Sequence, residues 1–484
     1  MRRDRGGERQ RGDHERHGPA GDAEHEKSAN LTGGSVTGEA SVNLGAVTGA
    51  EALPFARAAR DAPAQWEAWR ALRDAARSDG LARILVCGMG GSSLTARVLA
   101  ESFGLSHLAV LDSTAPAAVA AAAEAAAANP TLFVIASKTG TTVETDAFYR
   151  FFAPRARPDQ FVAVTDPGSP LEALARSQGF RAVVPAPPDV GGRFSALTAF
   201  GMVPAALAGI DGATLLARAQ RTDVAAARAL GARLAAAARG GKDKLALTPP
   251  APVAALAHWV EQLVAESSGK GSRGIVPVVD DPAPMPRPDV HGMADFSGDP
   301  LDLGVEFLRW EFVTWELCTR LGVNPFDQPD VDEAKALTRA ALARPSGPPS
   351  LPGTLTPRAL AAAARPGDYV ALLVYLAPDA PTTASAQQLR GAWSRRTGLV
   401  STLGFGPRYL HSTGQLHKGG PNTGLFLVVT ADNPTDVEIP GQPFTFGRLL
   451  RAQALGDVAA LLRRGRRVTY VHLRHARELA QLAP

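Results

Sequence analysis

The chain is predicted to be α/β, with two doubly wound parallel sheets, each an αβα sandwich, behind a disordered N-terminal tail. Three observations predict this. Short apolar runs alternate with helix-length segments along most of the sequence, which is the pattern of βαβ units and of strands laid parallel by their crossovers. Two of those runs, Ile84-Leu85-Val86-Cys87 and Leu132-Phe133-Val134-Ile135-Ala136, lead straight into loops of Gly, Ser and Thr and then into helical stretches. Finally, 484 residues, 45% of them hydrophobic, suffice for two or three buried cores.

Composition excludes several classes. The formal charge is +4 with no dense basic block, so nucleic acid is not an expected partner. Cys87 and Cys318 are the only cysteines, each in an apolar segment. That argues against a disulfide framework and for a reducing compartment, the cytoplasm. No apolar run approaches the ~18 residues of a spanning helix, so no membrane partner is expected.

Residues 1–30 lack Val, Ile, Leu, Phe, Tyr and Trp and carry seven basic and seven acidic side chains. Such a segment has nothing to bury, so 1–45 is read as a disordered tail, with His14, His17 and His25 solvated. A first domain, 46–190, begins with a helix to Asp79 whose Trp66 and Trp69 pack onto it. Strands follow at 83–87, 107–112, 131–136, 160–165 and 182–185, with helices at 94–103, 115–128, 143–153 and 169–178. A second domain, 191–484, opens with a helical region to about 240. It continues with a helix at 251–266, a strand at 273–279 and helices at 302–321 and 331–343. The Pro-rich stretch 344–366 reads as a linker, and an extension from about 345 carries strands at 368–376, 399–404, 424–430 and 467–472. Helices are expected there at 383–396, 446–463 and 475–482. Trp310 and Trp315, and His258 among apolar neighbours on its helix, are read as core.

The two loops, Gly88-Met89-Gly90-Gly91-Ser92-Ser93 and Ser137-Lys138-Thr139-Gly140-Thr141-Thr142, carry the chemistry. Backbone N–H groups, hydroxyls and helix N-termini gathered on one sheet edge hold a phosphate. The first is a near miss of the dinucleotide G-x-G-x-x-G, but Ser93 replaces the third glycine. A Walker A reading of Ser268-Gly269-Lys270 fails for want of the upstream glycine and of Ser or Thr after the lysine. Read alone, Thr142 could be merely a helix cap.

The pair of loops resembles those of the phosphoglucose isomerase family, whose domains have the sugar-isomerase (SIS) fold. Four further segments agree: Val190-Gly191-Gly192-Arg193-Phe194-Ser195, Gln262 through Lys270, Asn324-Pro325-Phe326-Asp327-Gln328 through Lys335, and, more loosely, Tyr409 through Gly420. The phrasing is most similar to the isomerase portion of bifunctional transaldolase/phosphoglucose isomerase proteins, without room for the transaldolase barrel. The resemblance covers about residues 80–480. In the family's ordinary members the His-bearing segment precedes the F-D-Q…Lys segment, whereas here it follows Lys335 by about 75 residues.

The resemblance implies interconversion of glucose 6-phosphate and fructose 6-phosphate through a cis-enediol, with no cofactor and no metal. One carboxylate can carry a proton between C2 and C1, and Glu266, ending an apolar helical stretch, suits this. Alone, that residue would read as a helix-end carboxylate paired with Lys270. Arg193 supplies a charge that cannot act as an acid. Ring opening is assigned to His411 with Lys335, and His417 is the substitute. Gln262, one turn before Glu266, and Gln328 would bond substrate hydroxyls. Gly91, Ser92, Ser137, Lys138, Thr139 and Thr142 would hold the phosphate. A dual glucose/mannose 6-phosphate isomerase, a non-catalytic sugar-phosphate binder and a nucleotide-dependent oxidoreductase are the alternatives. Family members are often dimers, so a homodimer is one expected arrangement. Deleting residues 1–40 is expected to leave melting temperature and turnover unchanged within error. Calorimetry and a rate assay check this, and a large loss of either would mean that the tail docks on a domain.

Overall fold

Strand β1 (Arg83–Gly88) sends its side chains alternately to two buried faces, as a strand covered on both sides must. Ile84 and Val86 join a core with Trp66, Trp69, Val134 and Val162, while Leu85 and Cys87 join another with Phe133, Ile135 and Phe161. The computed structural model in which this is seen describes residues 49–281, 289–291, 295–330, 332–343 and 351–482. The expected tail, residues 1–45, lies outside the described residues.

Five parallel strands form the first sheet: β1, β2 (Leu108–Leu111), β3 (Thr131–Ala136), β4 (Phe161–Thr165) and β5 (Ala182–Pro185), in the order β2-β1-β3-β4-β5. The order reverses between β1 and β3, and the two hydroxyl-rich loops leave from there. On one face lie the helices Pro54–Ser78, Leu94–Ser102 and Ala199–Ala208; on the other lie Pro116–Ala128, Val143–Phe152 and Pro170–Ser177. Trp66 and Trp69 are buried edge to face, 6.3 Å apart, as their positions in the sequence predict.

A small parallel sheet follows, of β6 (Lys244–Leu247), β7 (Val276–Val279) and β8 (Val290–His291), ordered β7-β6-β8. The sequence reading passed over β6. Its first residue, Lys244, is a buried lysine paired with Asp243 at 2.6 Å, which disguises an otherwise apolar run. The second large sheet comprises β9 (Tyr369–Tyr375), β10 (Val400–Phe405), β11 (Gly424–Ala431) and β12 (Arg467–Leu473), all parallel and ordered β10-β9-β11-β12. Buried Arg390 ties it to the small sheet, donating to the Val279 carbonyl at 2.7 Å and to the Ser401 hydroxyl at 3.0 Å.

Helix starts are fixed locally. The side chains of Ser169, Asp211, Asp223, Asp379 and Thr445 each accept the backbone N–H three residues on. The stretch read as a linker holds a short helix, Pro357–Ala362, begun by Thr356 and by proline at its first position. The helix Phe446–Arg463 serves two cores. Phe446 and Leu449 pack with Phe148 and Phe151 under the first sheet, while Leu450, Ala454, Val458 and Leu461 pack under the second. It is therefore the element that fixes one sheet's loops against the other's. No helix among the described residues is long and apolar enough to cross a membrane.

Candidate active site

The two hydroxyl-bearing loops start from paired residues: Gly88 of β1 is in register with Ala136 of β3. They emerge side by side at the carboxyl ends of these strands, where an open parallel sheet binds ligands. In the second loop Ser137 Oγ lies 3.1 Å from Thr142 Oγ1 and accepts the Gly140 N–H at 3.2 Å, while Thr139 Oγ1 meets Thr141 Oγ1 at 2.8 Å. Thr142 stands at the start of the helix Val143–Phe152, yet its hydroxyl makes no cap bond. The hydroxyls face one another across the loop. Lys138 is differently committed: its amine is held by Asp166 at 2.5 Å and by the Pro188 carbonyl at 2.8 Å. In the first loop Ser92 is buried, and Ser93 Oγ donates to the Gly90 carbonyl at 3.2 Å.

This first loop touches everything else in the site. Gly90 has φ +55°, and a β-carbon there would lie 2.7 Å from the His411 carbonyl and 2.8 Å from Gln262 Nε2. A β-carbon on Gly91 would collide with the Gly192 carbonyl, in the loop that carries Arg193. Only glycine allows both the backbone angle and these approaches.

Arg193, 4% exposed, lies in the short 3₁₀ turn Gly192–Phe194. Its guanidinium reaches the Glu266 carboxylate at 3.2 Å and donates to the carbonyls of Glu266, Pro325 and Asp327 at 3.2, 2.8 and 3.1 Å and to Gln328 Oε1. Glu266 sits near the end of the helix Leu256–Ser268 with its side chain 13% exposed. Gln262, one turn earlier, donates to Glu266 Oε2 at 3.1 Å and to the His411 carbonyl at 2.7 Å. Lys270 does not pair with Glu266. It bonds Asp327 at 2.7 Å and the Asn324 carbonyl. Burial, with Arg193 close by, holds the Lys270 amine below the usual lysine range.

His411 ends the 3₁₀ turn Arg408–His411 after β10, and its Nε2 lies 2.9 Å from Glu144 Oε1. Glu144 is buried at the head of the helix Val143–Phe152. His417 is not brought to this site. It lies on the helix Gly414–Gly419, 2% exposed, with its ring among Tyr369, Tyr409 and Phe426 at 6.3, 5.9 and 5.1 Å. Burial drives its pKa well below the ordinary value. It is a core histidine, its ring packed against Tyr369 of β9 and Phe426 of β11. His258 reverses the other way: its side chain is 37% exposed beside Glu261. Lys335 falls on the helix Asp332–Leu342, and its side chain lies outside the described residues.

The segment bearing His411 is anchored from beneath by Lys418, whose amine meets Asp457 at 2.5 Å with both side chains buried. Asp457 also accepts the Tyr409 hydroxyl at 2.5 Å, and Tyr409 meets the Tyr375 hydroxyl at 2.8 Å. Two residues that sequence reasoning did not assign complete the site. Glu144 lies two residues beyond the second loop, at the head of the helix it opens, so a signal existed. Gln453, which donates to Glu144 Oε1 at 2.7 Å, sits mid-helix with none.

A carboxylate, a buried guanidinium, a histidine segment and a glycine- and serine-rich loop thus lie in continuous contact. No family model matches the chain. A glucose-6-phosphate isomerase from Thermosynechococcus vestitus is 37% identical over 210 residues, which is 39% of this chain and 40% of the relative. A protein described as a probable glucose-6-phosphate isomerase, from Haloarcula marismortui, is 35% identical over 214 residues, 40% of this chain and 48% of the relative.

Over these matched stretches the chain is similar to glucose-6-phosphate isomerases.

The chain spans less than half the length of these curated relatives. Among solved structures, a glucose-6-phosphate isomerase from Chlamydia trachomatis aligns over 59% of this chain and 74% of its own, at 18% identity and TM-score 0.45.

The His411 segment comes late in the chain but reaches the same place as the loops of the first sheet. Gly91→Ala tests the glycine contact on which that convergence depends. Its β-carbon must displace the Arg193 loop, so stability is expected to fall by about 1–3 kcal/mol with loss of sugar-phosphate binding. Denaturant unfolding and ligand titration read the two effects, and a variant as stable and as tight as wild type would contradict the packing described.

Proposed function

We propose that this chain interconverts glucose 6-phosphate and fructose 6-phosphate by proton transfer through a cis-enediol. The observation that carries the reading is the buried Arg193 guanidinium 3.2 Å from the Glu266 carboxylate, next to a hydroxyl-lined turn at two helix N-termini. The curated relatives' names supply the substrate pair.

The phosphate binds between the loops at Ser92 and Ser137–Thr142, where hydroxyls and N–H groups converge and the helix dipoles favour negative charge. His411 moves a proton between the C1 hydroxyl and the ring oxygen, opening the ring. Its Nε2 is engaged by Glu144, so Nδ1 is the nitrogen left for the sugar. Glu266 then takes the C2 proton and returns it to C1, while Gln262 holds its second oxygen. Charge accumulates on the enediolate oxygens, and Arg193, fixed by carbonyls from two other segments, meets it without reorganising and without giving up a proton. Gln328 orients that guanidinium as well as lying within reach of hydroxyls. Lys138, committed to Asp166, contributes to the loop's shape more than to the phosphate itself.

Glu266→Gln is expected to lower kcat by roughly 10²–10⁴-fold with little change in binding of a sugar-phosphate inhibitor. A coupled assay on glucose 6-phosphate, run beside mannose 6-phosphate, reads this. Retention of more than about a tenth of wild-type kcat would remove Glu266 from the role. The phosphate end is tested separately. Ser92→Ala combined with Thr142→Ala should weaken phosphorylated ligands by about 1–3 kcal/mol and leave the unphosphorylated sugar unaffected. Equal weakening of both ligands would move the phosphate elsewhere.

A further inference from the structure

We propose that the cavity at the carboxyl ends of β9 and β11 is a second binding site, for a small hydroxylated anion whose charge is a phosphate or a carboxylate. The inference goes beyond the isomerase reading and rests on none of the residues placed in that reaction.

The second sheet, like the first, reverses its strand order once. From β9 the chain moves outward to β10, then returns to the other side of β9 for β11 and β12. The reversal therefore lies between β9 and β11, and such a point is where an open parallel sheet takes ligands. In the first sheet that place holds the two hydroxyl-rich loops. In the second, Tyr375 ends β9 in register with Thr430 of β11, and both line a cavity of about 440 Å³. This lies within the range of small-molecule sites.

One wall is the start of the helix Phe446–Arg463. The Asp436 carboxylate is spent on that start: it accepts the Gly447 N–H at 2.7 Å and the Thr445 hydroxyl at 2.5 Å. The helix N-terminus is thus already capped and is not the anion site. Arg448 donates to the Leu342 carbonyl at 2.7 Å. Arg451, one turn later, lines the cavity half-buried, and no carboxylate among the described residues pairs with it. A planar guanidinium placed this way matches a phosphate or a carboxylate through two parallel hydrogen bonds.

The opposite wall is the loop that leaves β11, with Asp432 and Asn433 on the cavity. His472 Nε2 lies 3.0 Å from Asp432 Oδ1 and steadies that carboxylate, whose side chain is still 62% exposed. A carboxylate accepts from hydroxyls, and an adjacent amide both donates and accepts. The two walls together select a molecule with an anionic group at one end and hydroxyls at the other. A neutral polyol leaves Arg451 unanswered, and an anion without hydroxyls leaves Asp432 unanswered.

The competing account is that Arg451 is a solvated side chain and the cavity takes nothing. Sorbitol 6-phosphate, gluconate and sorbitol, titrated calorimetrically into the full-length protein, separate the two accounts. At least one of the anions is expected to show a site that Arg451→Leu weakens roughly tenfold or more, the scale of losing a charge-assisted hydrogen-bonded pair. Sorbitol should show no such site, and which anion binds tells phosphate from carboxylate. Arg451→Lys keeps the charge and drops the planar fork, so it should weaken the same site by less. It decides the matter if Arg451→Leu does not fold. The proposal is overturned if neither anion has a site that depends on Arg451, or if sorbitol binds there as well as they do. The same titrations of the Ser92→Ala, Thr142→Ala double variant keep the first site apart. A site lost with Arg451 and retained in the double variant supports the second site, whether or not the chain isomerises sugar phosphates. A site lost in the double variant alone sinks this inference and leaves the proposed function untouched.

Discussion

The Arg193 guanidinium is the hub on which the site depends. Burying a positive charge is costly unless it is paired and its donors are satisfied. Here one carboxylate and three carbonyls, with the Gln328 amide oxygen, do so, and they come from the ends of two different segments. The C-terminal turn of the helix Leu256–Ser268 and the Asn324–Gln328 loop are in this way held by a single side chain. Lys270 reinforces the arrangement, since it bonds Asp327 and the Asn324 carbonyl and ties the same two segments together a second time. The charge that the proposed chemistry uses is also the charge that holds these segments together.

That hub can form only because two loops of glycine approach backbone to backbone. Gly91 lies against Gly192, and Gly90 against the His411 carbonyl and Gln262. The hydroxyl-rich first loop and the Arg193 loop are therefore joined backbone to backbone. Behind His411, the Lys418–Asp457 pair and the Tyr409–Tyr375 hydroxyls form a buried polar network under the loop. Removing one member of such a pair leaves an uncompensated charge, so the network fixes where the loop sits. Rigid support under a short, half-buried histidine turn is what a positioned acid–base group would require.

Much of this was legible in the sequence because the signals are local. The five strands of the first sheet and the four of the second read directly, since each is an apolar run bounded by turn residues. The hydroxyl loops, Arg193, Gln262, Glu266 and Gln328 were found by motif, and the structure brings them together with His411. His417 misled because a His-Lys-Gly-Gly string looks like a loop, whereas tertiary packing turns it into a helix buried against β9 and β11. His258 misled in the other direction, because apolar neighbours in sequence need not share its face of the helix. Strand β6 was missed because its buried lysine is paid for by Asp243, a partner that periodicity does not weigh.

By itself the sequence determined the parallel α/β class, the two turns rich in Gly, Ser and Thr and the residue types that the proposed chemistry uses, since propensity, alternation and motif spacing act within a few residues. Only the tertiary structure decided which histidine faces Glu144, that Lys270 serves Asp327 and not Glu266, and that Gln453 stands behind the histidine. Those pairings join residues far apart in sequence, brought together by the helix Phe446–Arg463 packing under both sheets. A hydrogen bond between such residues leaves no period and no spacing in the chain, because its geometry exists only once the cores on either side have formed.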